Sequence, residues 1–217
     1  MRTDELIVQL ARSAGPVRPL PRPSVRLARW TAAAVPMTAL GVIVIGPRVD
    51  VVNAIYQPTF AWLAVATLVT ALLSATGAFV LSVPGVERSP LQRVMPLVAG
   101  GVWTVLLVVL LTTGGDPVRR VLALPFHWAC LIEIAGLSIV PGWALFAMLR
   151  RAAPLRRAWS AALATLAAVG LGAVGTQFIC PIDDPAHQLV GHVLPVAFLV
   201  IWGTLVGRRW LNWLSRG

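Results

Sequence analysis

The residues of this chain with the greatest chemical potential lie close together between positions 180 and 192. Cys180 is one of only two cysteines, His187 and His192 are two of the three histidines, and Asp183 and Asp184 are two of the eight acidic residues. Thiols can be oxidised or can bind soft metal ions, imidazoles are common metal ligands, and paired carboxylates attract cations. The stretch therefore predicts a site that senses redox state or metal ions.

The composition of the whole chain is that of a membrane protein. Of its 217 residues, 58% are hydrophobic and only 12% are charged, and the mean hydropathy is +0.81. Soluble domains carry about a quarter charged residues. Residues 1–29 contain no apolar core of a cleavable signal peptide, so the first span is expected to remain as an anchor. We expect an all-α polytopic protein embedded in membrane lipid.

Six apolar runs predict six transmembrane helices joined by short loops rich in glycine and proline. The runs are Trp30–Ile45, Phe60–Ser82, Met95–Gly114, Leu122–Leu149, Ala158–Ile179 and Leu189–Val206. The first run is short for a span, and an extension back to Arg26 would let that long side chain snorkel. The predicted division is an N-terminal segment (1–29), a transmembrane domain (30–207) and a C-terminal end (208–217).

The distribution of arginine predicts the orientation of these spans. The net charge of +10 comes from eighteen arginines, with no lysine, and fifteen of them fall on the side that carries both termini. The opposite side has Arg48, Arg119 and Arg120. The positive-inside rule therefore predicts that both termini are cytoplasmic. Basic charge also suits nucleic acid, but these arginines flank apolar runs, so we expect no direct contact with nucleic acid.

The reactive residues lie at a similar depth in the predicted spans, near the outer boundary of the membrane. Counting about twenty residues from the cytoplasmic arginines reaches the outer boundary of each span. The layer there contains His127, Cys130, Cys180, Asp183, Asp184, His187 and His192, with Glu133 slightly deeper. The outer compartment is oxidising, so a Cys130–Cys180 disulfide is permitted if the Cα atoms lie within about 7 Å.

Each residue of this layer also has an ordinary interpretation. A cysteine in a membrane helix is often a small apolar filler, and Glu133 could make a packing hydrogen bond. His127 and Cys130 form the only closely spaced ligand pair, which favours thiol chemistry over a metal centre. We therefore expect no resident cofactor and at most a transient metal ion at the thiols, with the metal unassigned.

The N-terminal segment has an amphipathic pattern. Leu6, Ile7 and Leu10 recur at helical spacing, and Thr3 is placed to act as the N-cap with Asp4 in the first turn. A helix of three turns is marginal alone in water. The segment is therefore either a frayed tail or an element that folds on a partner.

These motifs, with the six short-looped spans, resemble the NrsF family of bacterial membrane anti-sigma factors, which are negative regulators of an extracytoplasmic-function sigma factor. The resemblance rests on Thr3-Asp4-Glu5-Leu6-Ile7 with Leu10-Ala11, on Pro16-Val17-Arg18, on Cys130 near the start of the fourth span, and on Cys180-Pro181 with Asp183. It implies that the N-terminal segment holds the sigma factor inactive and that both cysteines are tied to its release under stress.

Carried over by position, the resemblance assigns two groups of residues. The sigma-factor contacts would be Asp4, Leu6, Ile7 and Leu10, and the sensing residues would be Cys130 and Cys180. No catalytic constellation accompanies them, so we expect no enzyme. The alternatives are a small transporter or metal-handling protein that uses Glu133 and the outer-face histidines, and a structural subunit of a larger complex.

The predicted orientation can be tested by reporter fusions. A reporter attached after Gly217 should be active only if it functions in the cytoplasm, because fifteen arginines lie on that side. Activity of a periplasm-dependent reporter at the same position would show that the number of spans or the orientation differs from the prediction.

Overall fold

The chain forms a bundle of helices. The computed structural model describes residues 2–13, 19–83, 90–113, 116–117, 119, 121, 128–152 and 154–212. Its helices are α1 (Thr3–Ser13), α2 (Pro23–Ile45), α3 (Val51–Ile55), α4 (Pro58–Leu81), α5 (Pro90–Thr113), α6 (Trp128–Arg150), α7 (Arg157–Gln177), α8 (Pro185–Gln188) and α9 (Leu194–Trp210), with a π-helical turn (Leu189–Val193) between α8 and α9. Several of them begin at proline, which lacks the N–H that a first turn leaves unbonded.

Within the described residues, five helices are long and apolar enough to cross a membrane. They are Pro23–Ile45, Pro58–Leu81, Trp128–Arg150, Arg157–Gln177 and Pro185–Trp210. The predicted third span corresponds to α5, in which the apolar part is the shorter stretch Leu97–Thr113. The all-α fold is therefore confirmed, and a membrane location fits the length and composition of these helices.

Helix α7 is the centre of the bundle and packs against α4, α6 and α9. One face of α7 consists of small residues at every fourth position, and these are buried: Ala164, Ala168, Gly172 and Thr176. A Cβ atom at Gly172 would lie 2.6 Å from the Ile134 carbonyl oxygen of α6, so only glycine allows the two helices to approach this closely. Small residues let membrane helices pack through their backbones, and this contact sets the distance between α6 and α7.

Helix α2 is attached to the bundle by polar contacts near its N-terminal end. The Arg26 guanidinium donates to Ser82 Oγ (2.9 Å) and to the Met148 carbonyl (2.8 Å). Trp30 Nε1 donates to the Pro141 carbonyl (2.9 Å). The helix does extend back past Arg26, as predicted, but both side chains are buried. The expectation that Arg26 snorkels was wrong, because its guanidinium finds acceptors inside the bundle.

Candidate functional site

Four metal-ligating side chains converge at one end of the bundle, which we call the cysteine end. Cys130 lies in the first turn of α6, Cys180 follows α7, His187 lies in α8, and His192 lies in the π-helical turn. One ligand atom from each lies within 4.8 Å of all the others, and all four residues are buried. His187 Nε2 is 3.3 Å from Cys180 Sγ and 3.6 Å from Cys130 Sγ. The two cysteines are free thiols.

The π-helical turn brings the two histidines to one face. Residues five apart on an α-helix point about 140° away from each other. Here the Leu194 N–H bonds to the Leu189 carbonyl, five residues back, and the widened turn closes that angle. The ring centroids of His187 and His192 are 5.8 Å apart. Such turns are frequent at functional sites.

Gly191 gives the His187 ring its space. A Cβ atom there would lie 3.1 Å from both Cε1 and Nε2 of that ring. This is closer than side chains normally approach, so any larger residue would displace the imidazole from the two sulfurs.

The loop that carries Cys180 is held by Arg48, which lies just after α2. Its guanidinium forms a bidentate pair with the Asp183 carboxylate (2.7 Å for each bond) and also binds the Asp50 carboxylate. It donates further to the carbonyls of Cys180 (3.2 Å) and Pro181 (3.4 Å). The Arg48 side chain is only 2% exposed. Bidentate pairs of this kind fix geometry as well as charge, so Arg48 sets the path of the loop.

Asp184 has a different role from its neighbour. Its carboxylate accepts hydrogen bonds from the backbone N–H groups of Ala186 (2.7 Å) and His187 (3.3 Å), so it is the N-cap of α8. The sequence suggested that Asp183 and Asp184 attract a cation at the thiols. In the structure Asp183 binds Arg48 and Asp184 starts the helix that presents His187, and neither belongs to the group of four ligands.

The charges around the loop favour its ionised groups. The Arg48 guanidinium lowers the pKa of the Asp50 carboxyl, and the two carboxylates raise the pKa of Arg48. A hydrogen bond from Cys130 is the main cause that lowers the pKa of the Cys180 thiol. A lowered carboxyl pKa stabilises the folded state fully above the ordinary aspartate pKa of about 3.9. That contribution is lost only as the pH falls through the lower value, so the pair is intact at neutral pH.

Glu133, another of the predicted residues, lies outside this group. Glu133 is one helical turn beyond Cys130, and its Oε2 is buried without a hydrogen-bond partner among the described residues. It is not one of the four converging residues. His127, the predicted partner of Cys130, falls outside the described residues.

The predicted sigma-factor contacts lie on α1. Asp4, Leu6, Ile7 and Leu10 are all exposed, and α1 has no buried residue. Helix α1 begins at Thr3, so the prediction that Thr3 is its N-cap was wrong by one residue. The Glu5 carboxylate accepts a hydrogen bond from the Arg2 backbone N–H (3.1 Å) and caps the N-terminus of the helix instead.

Arg48 is the residue whose role the sequence analysis missed. It was counted only as an orienting charge on the side opposite the termini. The available signal was charge complementarity, since Arg48 and Asp50 share one predicted loop and Asp183 lies in another at the same boundary. Depth alone could not show that these loops meet.

The comparison with known protein families assigns the chain. A family model described as NrsF, negative regulator of sigma F, matches residues 10–213. The chain belongs to the NrsF family. The resemblance drawn from the motifs is thereby confirmed, and membership implies negative regulation of a sigma factor. The match begins at Leu10, so Asp4, Leu6 and Ile7 precede it. No curated protein matches the chain, and no solved structure does.

The role of Arg48 in holding the Cys180 loop, which we call the Arg48 clamp, can be tested by changing Arg48 to Met. Methionine keeps most of the packing and removes the hydrogen-bond donors. Loss of hydrogen bonds to charged groups costs about 1.5–3 kcal/mol, so opening of the loop should become at least roughly 10-fold more frequent. Cys180 alkylation, measured by mass spectrometry of the labelled peptide, should accelerate by the same factor. Arg119→Gln, which changes an exposed arginine, is the control. Equal alkylation rates in Arg48→Met and wild type would contradict the clamp.

Proposed function

We propose that this protein holds an extracytoplasmic-function sigma factor inactive at the bacterial inner membrane through residues 1–29. The single observation that carries the proposal is α1, whose apolar residues Leu6, Ile7 and Leu10 are exposed in a family of sigma-factor regulators. An amphipathic helix with an exposed apolar stripe is suited to binding in a groove of a partner protein. Asp4, on the first turn, adds one negative charge to the same segment.

The orientation in the membrane is part of this proposal. A sigma factor is cytoplasmic, so α1 must lie on that side, and the excess of arginines on the side of the termini supports this. With six spans, α5 included, both termini are cytoplasmic and the cysteine end faces the outer compartment. Signals then arrive on one side of the membrane and the bound partner is released on the other.

Release is proposed to follow chemical modification of the outer thiols, Cys130 and Cys180, by oxidation or by a soft metal. Helix α2 supplies a physical connection. Arg48 lies three residues after α2 ends at Ile45 and is bonded to the Cys180 loop, whereas the N-terminal end of α2 at Pro23 continues from the segment that carries α1. The helix is roughly 35 Å long. A shift of the Cys180 loop therefore displaces an element that is covalently joined to the tail.

The binding half of the proposal is tested by changing Leu6 and Leu10 to Asp together. Truncation of a hot-spot residue costs about 2 kcal/mol or more, so with Leu6 and Leu10 as the hot spots co-purification of the co-expressed sigma factor should fall more than roughly 30-fold and target transcription should rise. Val8→Asp is the matched control, because Val8 is 50% exposed and lies on the opposite face of α1. Membrane insertion is checked by fractionation. Unchanged sigma-factor binding in the double variant would overturn this half.

The sensing half is tested by changing Cys130 and Cys180 to Ser, singly and together. The variants should fold, since serine is nearly isosteric, and should keep the sigma factor bound when cells meet thiol oxidants or thiophilic metals. Target transcription is the readout, and Glu133→Gln, a change one turn from Cys130, is the control. Normal induction in the double serine variant would exclude the thiols as sensors while leaving the tail proposal intact.

A further inference from the structure

We propose that Cys130, Cys180, His187 and His192 together bind one thiophilic transition-metal ion in tetrahedral coordination, with Zn²⁺ as the first candidate. The inference adds two histidines and a defined coordination geometry to the proposed function. Only its effect on sigma-factor release rests on that function, because metal binding itself needs no partner. Two sulfur and two nitrogen ligands in a tetrahedral arrangement are typical of zinc centres.

The distances fit such a centre. Zinc–sulfur bonds of about 2.3 Å and zinc–nitrogen bonds of about 2.0–2.1 Å place ligated sulfur and nitrogen atoms roughly 3.6 Å apart at the tetrahedral angle. His187 Nε2 lies 3.3 Å from Cys180 Sγ and 3.6 Å from Cys130 Sγ. All four ligand atoms are within 4.8 Å of one another. Little movement would complete the coordination shell.

His192 decides between a metal centre and a purely hydrogen-bonded thiol–imidazole group. Its ring is 0% exposed, and neither ring nitrogen makes a hydrogen bond of normal geometry among the described residues, since its interaction with the Cys180 thiol falls short of that geometry. Burying an unpaired polar group costs free energy, and nearly all such groups in proteins find a partner. A hydrogen-bonded pair of Cys180 and His187 leaves His192 unexplained. A metal ion within the group satisfies one of its nitrogens.

Charge balance also suits the buried location. Binding replaces the protons of the two thiols, which pass to solvent, so two thiolates neutralise the divalent ion and the imidazoles stay neutral. The nearby Arg48 is already paired with Asp50 and Asp183. A complex with no net charge avoids most of the cost of burying an ion in a region of low dielectric constant.

The ligands come from two separate parts of the bundle. Cys130 belongs to α6, whereas the other three lie between residues 180 and 192. An ion bound to all four therefore joins α6 to the loop that Arg48 holds. If the proposed function is correct, occupancy fixes this loop relative to α6 and is a release signal.

The direct test is a titration of the purified full-length protein, reduced and stripped with a chelator in detergent, with Co²⁺. Cobalt occupies tetrahedral zinc centres and reports its ligands by absorbance. One Co²⁺ per chain should give intense thiolate charge-transfer bands together with tetrahedral d–d bands, and Zn²⁺ should displace both. Binding without thiolate bands, or no binding, would overturn the proposal.

The contribution of the histidines is tested with His187→Gln and His192→Gln. Loss of a residue that only hydrogen-bonds to a metal ligand typically weakens metal binding 10- to 100-fold. Loss of a direct ligand should therefore raise the dissociation constant for the metal by more than about 100-fold. Glu133→Gln is the control and should bind as the wild type does. Size-exclusion chromatography and thermal unfolding show whether each variant is folded. Wild-type spectra and affinity in both folded histidine variants would overturn their assignment as ligands.

A measurement on the wild-type protein avoids any folding defect of a variant. Zn²⁺ should protect Cys130 and Cys180 from alkylation by at least about 10-fold, and a chelator should restore the rate. Absence of protection would count against the centre. The same measurement is then made on the complex with the sigma factor. Zn²⁺ binding without release contradicts release by metal but leaves the metal centre standing. If the protein binds no Zn²⁺ but a thiol oxidant still releases the sigma factor, the metal centre is contradicted and the sensing half of the proposed function stands.

Discussion

The multiple hydrogen bonds of one buried guanidinium hold the cysteine end together. Arg48 joins the end of α2, the start of α3 and the loop after α7, and it does so with two carboxylates and two carbonyls as acceptors. A buried arginine is tolerated only when its donors are satisfied. The same bonds give the irregular loop a defined shape, and this shape directs Cys180 towards Cys130. Every property of the site depends on that loop.

The rest of the bundle gives this loop a fixed reference. Helix α7 is buried along most of its length and consists largely of alanine, glycine, serine and threonine. Such residues allow close backbone contact, and the approach at Gly172 holds α7 against α6. Cys130 lies at one end of α6, and Cys180 lies just beyond α7. The spacing between the two thiols is therefore set by helix packing together with the loop that Arg48 holds, as a precise site requires.

Much of this arrangement was predictable from the sequence. Hydropathy predicted the helices, because a span needs about twenty apolar residues, and depth counted from the arginines grouped the cysteines with the histidines. Depth says nothing of the direction in which a side chain points around its helix, so the sequence could not show that four ligands of that layer meet. Close spacing along the chain favoured His127 with Cys130 as a ligand pair over His187 with His192, which an α-helix would have separated.

Buried charge was the second limit of the sequence analysis. Positive residues in membrane proteins were interpreted by the side of the membrane they occupy, a rule that treats each arginine as a surface charge. Arg26 and Arg48 instead lie inside, where Ser82 and the Met148 carbonyl bind one and Asp50 and Asp183 bind the other. In the long-range contacts, each arginine and its partner are separated by 56 to 135 residues along the sequence. Only the fold brings such pairs together.

The π-helical turn has a consequence for how this family can vary. Because Leu194 bonds five residues back, the turn holds one residue more than an α-helical turn would. Deleting any residue between His187 and His192 would restore α-helical hydrogen bonding and rotate everything before the deletion by roughly 100° relative to everything after it. The number of residues in this interval is thus constrained more tightly than the identity of most of them. Relatives that share the site should keep the interval of four residues between the two histidines even where the intervening side chains differ.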